Sequence, residues 1–456
     1  MGKYDLDEWD DWLEERPSPP RRGCWFVGLA LLLVASLLAS AVGSAVWLFR
    51  ETAVFPPTTP EPTPLPGRIA VIDRDGQVLT IDPDGRNGRS LTYAGFSHQV
   101  PAWAPDGQRL AVIGRNDIYL LHDHPEPEEA ISLYSSSRQN PFYLYWSPDG
   151  GSLSFLANEP QRGIGLRLVQ TGEPYNERLL TTGNPFYWQW VDDGRRLFIH
   201  SDGSGPTARL AFLPTESGNG SEERIASPGR FQAPGISANG RYWAYAQDSG
   251  DGISWLVIND RETGEQWSQR HTGMVAVGWS PLGSKIAFSA GLDAQANTFW
   301  GPLRLLDAET GEATILSDNM VLAFFWSPDG RYLAIIYSGE NNRASGIIAR
   351  QKENGRPAPL ARLNNQRPIA QFNLAVINIE TGEQRELGAF SPTRLFVGQF
   401  LPFFDQYARS HHLWSPDSAA IVLPVIENGV SRVKVFPITG DPAIDLGRGE
   451  MPFWSP

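Results

Sequence analysis

The chain has 456 residues and a formal net charge of −13. So acidic a chain is a poor partner for nucleic acid, whose phosphates would repel it. Its single cysteine, Cys24, excludes a disulfide within the chain. Its 45 glycines and 37 prolines are typical of an all-β protein with many turns.

Residues 1–23 form an acidic and aromatic N-terminal stretch. Its composition favours a disordered tail. A helix that docks on a partner is the alternative, because Leu6, Trp9 and Leu13 would share one helical face. In either case we expect an acidic cytoplasmic tail, because of the segment that follows it.

Residues 24–49 are apolar and carry no charged side chain. As a helix this segment would be about 39 Å long, enough for a hydrocarbon core of about 30 Å. Arg16, Arg21 and Arg22 precede it and Arg50 alone follows closely, which predicts a cytoplasmic N-terminus. We therefore expect a single transmembrane helix in a bacterial cell membrane. A cleaved signal peptide is the alternative, since small residues at 39–41 and 43–45 resemble cleavage sites.

Residues 50–67 are rich in proline and threonine and predict an extended linker. The remainder, residues 68–456, is predicted to lie outside the cell membrane as a separate domain. This linker would hold that domain away from the bilayer.

The same short pattern recurs along residues 68–456: an aromatic residue, then Ser-Pro-Asp-Gly or a close variant, then an apolar run. Proline presets one turn dihedral, aspartate bonds to nearby backbone, and glycine takes the left-handed conformation, so the pattern predicts strand, tight turn, strand. The tryptophans that mark it are Trp103, Trp146, Trp190, Trp279, Trp326, Trp414 and Trp454, with Ile236 in the equivalent place of a degenerate copy. Their spacing is close to the 40–45 residues typical of a propeller repeat with four strands per unit.

Each repeat has a second half, in which an apolar strand ends in a Thr-Gly-Glu turn. Residues 256–265, 303–312 and 374–383 show it most clearly. A unit, or blade, therefore reads as strand a, the Ser-Pro-Asp-Gly turn, strand b, a variable loop, strand c, the Thr-Gly-Glu turn and strand d. This is the order of a four-stranded antiparallel meander.

These residues resemble the WD40-like (PD40-type) repeats of the TolB family and its relatives, over about residues 68–456. The same repeat is found in the propeller domains of prolyl-oligopeptidase-type peptidases. The resemblance implies a β-propeller fold, and it does not imply one function, because propellers serve many activities.

The two ends of the domain are complementary. Residues 68–93 supply strands b, c and d without a strand a, and residues 451–456 supply a strand a with nothing after it. We expect the C-terminal strand to complete the first blade and close the ring. Counting a strands predicts an all-β, eight-bladed β-propeller, with seven blades as the alternative, and the 88 positions from Trp326 to Trp414 are interpreted as one blade with two insertions.

Antiparallel alternation places the b–c and d–a connections on one face of the disc and the a–b and c–d turns on the other. The long and irregular segments are nearly all b–c or d–a connections, which indicates a binding face there. Two of them dominate, a basic insertion near 339–371 and an aromatic connection near 388–412. Their candidate binding residues are Arg343, Arg350, Lys352, Arg356, Arg362 and Arg367 in the first, and Phe396, Phe400, Phe403, Phe404, Tyr407 and His411 in the second. The alternative for the basic insertion is a solvated loop. The alternative for the aromatic connection is local packing against the disc.

The repeat tryptophans are interpreted as structural core between blades. The turn aspartates, which include Asp149 and Asp329, are interpreted as turn formers, since a calcium loop needs several carboxylates at close spacing. His122-Asp123-His124 lacks a third metal ligand. The Gly-x-Ser-x-Gly motif of the related peptidases is absent, and so are residues to build their hydrolase domain. We expect neither catalytic residues nor a metal or other cofactor.

The sequence therefore predicts a membrane-tethered propeller that binds a protein, a peptide or an envelope glycan without catalysis. Two alternatives from other classes are a propeller hydrolase or lyase with acidic residues in the central channel, and a purely structural spacer. The inner strands are mainly aromatic and apolar, which argues against the enzyme.

Overall fold

The recurrent turns form as their residue types require. In the computed structural model, Asp149 accepts hydrogen bonds from the Ser147 hydroxyl (2.6 Å) and from the Gly151 amide (3.0 Å). The Gly150 amide donates to the Ser147 carbonyl at 2.9 Å, and Gly150 has φ of 66°. A residue with a Cβ is strained in this conformation, so glycine is favoured here. Each such turn sends the chain back beside the strand that it has just left.

The structure describes residues 64–93, 97–126, 128–216, 221–249, 253–293, 297–339 and 371–456. The tail, the apolar segment and most of the linker, residues 1–63, lie outside this range. So does the basic insertion from 340 to 370, with all six of its candidate residues. The predictions for these segments therefore stay predictions.

The described residues form thirty β-strands. In chain order these are β1 (Ile69–Ile72), β2 (Val78–Ile81), β3 (Arg89–Ser90), β4 (Gln99–Trp103), β5 (Arg109–Ile113), β6 (Asp117–His122), β7 (Ile131–Ser135), β8 (Pro141–Trp146), β9 (Ser152–Glu159), β10 (Gly163–Gln170), β11 (Glu177–Gly183), β12 (Phe186–Val191), β13 (Arg196–Ser201), β14 (Arg209–Pro214), β15 (Glu223–Ala226), β16 (Gly235–Ile236), β17 (Tyr242–Asp248), β18 (Ser254–Asp260), β19 (Gln266–His271), β20 (Val275–Trp279), β21 (Lys285–Ala290), β22 (Gly301–Asp307), β23 (Ala313–Trp326), β24 (Tyr332–Ser338), β25 (Phe372–Asn378), β26 (Gln384–Phe390), β27 (Ala420–Glu427), β28 (Val430–Pro437), β29 (Ile444–Arg448) and β30 (Glu450–Trp454).

The strands pair into consecutive antiparallel meanders. Sheets 2 to 5 take four successive strands each, β4–β7, β8–β11, β12–β15 and β16–β19. Sheet 6 has seven strands, β20–β26, and sheet 7 has three, β27–β29, with an isolated bridge between Trp414 and Ile421. Within sheet 6, the long strand β23 pairs with β22 through its first half and with β24 through its second half. The part of the chain that the structure describes is therefore all-β, as predicted.

Sheet 1 joins the two ends of the domain. Its order is β3-β2-β1-β30, and the register places Ile69 opposite Trp454 and Ala70 opposite Phe453. The Trp454 indole donates to the Pro66 carbonyl at 2.9 Å, so the end of the linker also lies against the closing strand. This pairing covers an edge of the first sheet that would otherwise be open to another chain.

The repeat tryptophans connect one unit to the next. Each of five indole N–H groups donates to the carbonyl of the residue that precedes the equivalent tryptophan in the neighbouring unit. These bonds are Trp103 to Phe453 (3.0 Å), Trp146 to Ala102 (2.9 Å), Trp190 to Tyr145 (3.3 Å), Trp326 to Gly278 (2.9 Å) and Trp414 to Phe325 (3.0 Å). The first of these bonds links sheet 2 to the closing strand β30 in sheet 1. The units are thus arranged side by side in a closed ring, a β-propeller.

Candidate functional site

The connection between β26 and Leu413 folds into short helical turns that we call the plug, residues 391–412. It contains a π-helical turn (Phe396–Phe400), a 3-10 turn (Leu401–Phe403) and an α-helical turn (Phe404–Tyr407). Aromatic residues at 396, 400, 404 and 407 recur every three or four positions, so they share one face of these turns. That face is buried against the inner strands of the ring.

The aromatic candidates of the sequence analysis divide by exposure. Phe396, Phe400, Phe404 and Tyr407 are buried, and so is His411, whereas the side chain of Phe403 is 40% exposed. The buried group packs on several sheets at once. The ring pairs include Phe404 with Phe324 (5.0 Å between centroids), Tyr407 with Tyr143 (5.1 Å) and Phe400 with Phe453 (5.8 Å). Their role as binding residues stays a prediction, and their contacts are those of a core.

Polar side chains of the plug bind the inner strands through backbone groups. The Gln406 amide accepts from Trp188 N (2.8 Å) and donates to Trp188 O (2.9 Å), as a neighbouring strand would. The same amide donates to the Tyr143 hydroxyl at 3.1 Å, and that hydroxyl is 2.6 Å from Ser410 Oγ. Sheets 3 and 4 are therefore fixed to the plug.

Asp405 and Arg409 of the plug form hydrogen bonds with the backbone just before sheet 5. Asp405 accepts from the Ala233 amide at 3.2 Å, and the Arg409 guanidinium donates to the carbonyls of Ala233 (3.4 Å) and Pro234. Asp405 is buried, and burial raises the pKa of its carboxyl to about 6. Its protonation therefore changes near neutral pH.

His411 is buried at the end of the plug. Its Nδ1 lies 2.6 Å from Ser410 Oγ, and its ring contacts Phe453 of the closing strand (4.6 Å between centroids). Burial lowers the pKa of His411 to about 3, so its imidazole is neutral at physiological pH.

Beside the plug lies an aromatic pocket of about 950 Å³. Its walls include Tyr187, Phe231, Phe299, Trp300 and Phe403. Every lining segment belongs to a b–c or a d–a connection, or to the strand end next to one. Burial raises the pKa of Tyr187, so its hydroxyl stays protonated and can form hydrogen bonds. The pocket is apolar with a few polar groups, as is typical of ligand sites.

A second, polar pocket of about 580 Å³ adjoins the first. The turn at 73–76, residues 97–99, the turn at 429–431 and residues 448–450 line it, and all of these again belong to b–c or d–a connections. Leu395 and Glu450 line both pockets. The two pockets therefore form one elongated depression on the face that the sequence analysis marked for binding.

Glu450, the first residue of β30, is half-buried at the junction of the two pockets. Burial raises the pKa of its carboxyl, and a hydrogen bond from Ser431 partly opposes this. Among the described residues it forms no ion pair within 4 Å. Glu450 and the pocket aromatics apart from Phe403 were not among the residues predicted from the sequence, because no local motif marks a depression that is assembled from ten separate connections.

The same face carries most of the exposed apolar side chains. In the part of the chain that the structure describes, seven large hydrophobic side chains are exposed. Four of them lie in or next to b–c or d–a connections, namely Tyr93, Phe142, Leu292 and Phe403. Leu282 lies in an a–b turn, and Ile315 and Met320 lie within β23. Exposed apolar groups around a depression are typical of an interaction surface.

The remaining sequence candidates have local roles. Asp123, from the His-Asp-His triplet, forms ion pairs with Arg68 (2.7 Å) and Arg89 (3.1 Å), and His122 lies 3.0 Å from Glu128. Within residues 64–456, apart from the undescribed gaps, no group of three or more potential metal ligands is found. Over the same residues, no helix has the length and apolar character needed to cross a membrane.

Fold and site together define a β-propeller whose plug lies against its inner strands and whose variable face carries an elongated depression. No family model and no curated protein matches the chain. Among solved structures, a eukaryotic initiation factor is similar with a TM-score of 0.50 at 11% identity, covering 86% of this chain and 98% of that one. At this identity the likeness concerns the fold alone.

Two further solved structures are more distant in shape. TolB from Acinetobacter baumannii has a TM-score of 0.35 at 20% identity, over 54% of this chain and 62% of that one. An oligogalacturonate lyase from Vibrio parahaemolyticus has a TM-score of 0.41 at 14% identity, over 84% of this chain and 86% of that one. The chain thus spans less than two thirds of that TolB.

Proposed function

We propose that this protein is a non-catalytic binding module that holds a polypeptide partner on its b–c/d–a face. The observation that carries the proposal is the elongated depression formed by the two adjoining pockets. Both are built from the variable connections and the strand ends next to them, and exposed apolar side chains concentrate on the same face. Of the partner classes left open by the sequence, a polypeptide suits scattered apolar contacts around a long depression best.

We also infer that the ring has eight blades. Sheet 6 supplies two of them, divided within β23, and sheet 7 becomes four-stranded when the bridge at Trp414 is counted as its strand a. With sheets 1 to 5 this gives eight units. Eight is also the number of a strands in the sequence.

A tether to the cell membrane is part of the proposal, with the propeller outside and the N-terminus in the cytoplasm. It is supported by the uncharged apolar residues 24–49 and by the arginines before them. The basic insertion, outside the described residues, stays a second proposed contact for the partner. Protease protection of the N-terminal tail in intact cells, with digestion of the propeller, is the expected result of this topology.

The binding function can be tested by selecting a random peptide display library on the full-length protein. Phe403→Ser removes an exposed apolar side chain from the aromatic pocket, and Leu282→Ser is the matched control on the opposite face, where Leu282 is 62% exposed. We expect the wild type and the control to enrich the same peptides. We expect the selected peptides to bind Phe403→Ser about tenfold more weakly, as for a contact residue at an interface.

Two results would contradict the proposal. Failure of the wild type to enrich any peptide would favour the structural spacer. Equal losses in both variants would show that the depression is not the binding surface.

A further inference from the structure

Glu450, at the junction of the two pockets, forms no ion pair with any residue that the structure describes. Two other carboxylates with buried side chains have arginine partners: Asp123 has Arg68 at 2.7 Å, and Asp260 has Arg241 at 2.6 Å. Glu450 forms no ion pair with a described residue, and the hydroxyl of neighbouring Ser431 donates to the Gly449 carbonyl at 2.8 Å. A half-buried charge without an ion pair loses part of its hydration, and a partner can recover this free energy by supplying the opposite charge.

The arginines of the depression do not fill this role. Arg74 and Arg448 line the polar pocket and are exposed to solvent, where hydration already stabilises them. In the aromatic pocket Arg230 donates to Asn297 at 2.7 Å. No arginine that lines either pocket, Arg394 included, forms an ion pair with Glu450.

The position of Glu450 limits which partner segment can fill the two pockets. It lines both the aromatic pocket and the polar pocket, so a segment that fills both passes beside it. An extended polypeptide presents alternate side chains in this way, an apolar one to the aromatic walls and a neighbour to the junction. The net charge of −13 also favours the approach of a basic segment.

We propose that Glu450 binds a lysine or arginine side chain of an extended partner segment whose adjacent apolar or aromatic side chain fills the aromatic pocket. This inference rests on the proposed function and adds the chemistry of the partner. The carboxylate supplies selectivity for a basic residue, and the aromatic walls supply the apolar contact.

The test uses the same display library on full-length wild type, Glu450→Gln and Glu450→Lys. Glu380→Gln is the control, because Glu380 is exposed in a c–d turn on the opposite face and its loss changes the net charge equally. We expect wild type and control to enrich peptides that combine an aromatic with a basic residue. Glu450→Gln should keep the aromatic preference and lose the basic one, and Glu450→Lys should select acidic residues instead.

Fluorescence anisotropy with one peptide from the wild-type selection gives the magnitude. Its Kd should rise about tenfold in Glu450→Gln, and the dependence of log Kd on salt should weaken. Aromatic peptides without a basic preference on the wild type, or unchanged selection by Glu450→Lys, would overturn this inference and leave the binding function standing. Absence of enrichment on the wild type would overturn both.

Discussion

The regular junctions of the ring and the junctions around sheet 5 hold together by different means. At the regular junctions a buried tryptophan donates to the neighbouring unit, as Trp146 does to Ala102. At sheet 5 the equivalent position is Ile236, strand β16 has only two residues, and the Trp279 indole N–H that follows has no acceptor among the described residues. The repeat is weakest here.

Other side chains replace the missing contact. Gln189 of the preceding sheet bonds to the Ile236 amide (2.9 Å) and carbonyl (3.4 Å), and Asp405 and Arg409 of the plug hold residues 233 and 234. The plug also supplies residues 394–403 to the aromatic pocket. The plug therefore contributes both to the stability of the junctions around sheet 5 and to the shape of the candidate binding surface.

The largest expected effect is at a regular junction. Trp146→Ala removes a buried side chain and its hydrogen bond and should lower the free energy of unfolding by about 3–5 kcal/mol. Tyr93→Ala, at a position that is 63% exposed, should change it by less than about 0.5 kcal/mol. Denaturant titration of both variants measures this, and equal stabilities would mean that the tryptophans do not connect the units.

At the irregular junction, Arg409→Met leaves two carbonyls without their charged donor and Asp405 without a nearby cation. We expect a loss of about 2–3 kcal/mol in the free energy of unfolding. Arg331→Met is the control, because Arg331 is 63% exposed and its ion pair with Asp329 spans 3.5 Å. That control should lose less than about 1 kcal/mol. If Arg409→Met loses no more stability than the control, the plug does not stabilise sheet 5.

Asp405→Asn should change how stability depends on pH. The folded pKa of about 6 lies above the ordinary value of 3.8 for an aspartate, so the stability that protonation of Asp405 contributes is complete below pH 4 and is lost as pH rises through 6. Relative to wild type, the variant should gain about 2 kcal/mol between pH 4 and pH 7.5. His411 has a lowered pKa and acts in the opposite direction, losing its contribution as pH falls. Because His411 is present in both proteins, the difference between their pH profiles isolates Asp405. A constant difference would contradict the assignment.

The smallest effect separates the two kinds of tryptophan. Trp146→Phe loses the bond to Ala102, whereas Trp279→Phe loses no hydrogen bond of the indole N–H. We expect Trp146→Phe to be less stable than Trp279→Phe by about 1 kcal/mol. The reverse order in thermal and denaturant unfolding would show that packing alone decides these positions.

Much of the fold could be predicted because each repeat is determined by the residue types at a few neighbouring positions. The turn at Ser147–Gly150 depends on hydrogen bonds between residues close in sequence. The spacing between successive turns of this kind predicts the order of the strands. The face of the variable connections follows from antiparallel alternation. The candidate site was harder: the spacing of Phe396, Phe400 and Phe404 indicates a helical face, and the sequence could not say whether that face turns inwards.

The sequence by itself determined the all-β class, the unit of four strands and the complementary ends, since turn residues and alternating apolar runs act over a few positions. Only the tertiary structure decided that the aromatic connection packs against sheets 3, 4 and 6 and that Glu450, which has no ion pair among the described residues, lies between two pockets. Both depend on contacts between residues that are tens to hundreds of positions apart, and no local pattern encodes such contacts.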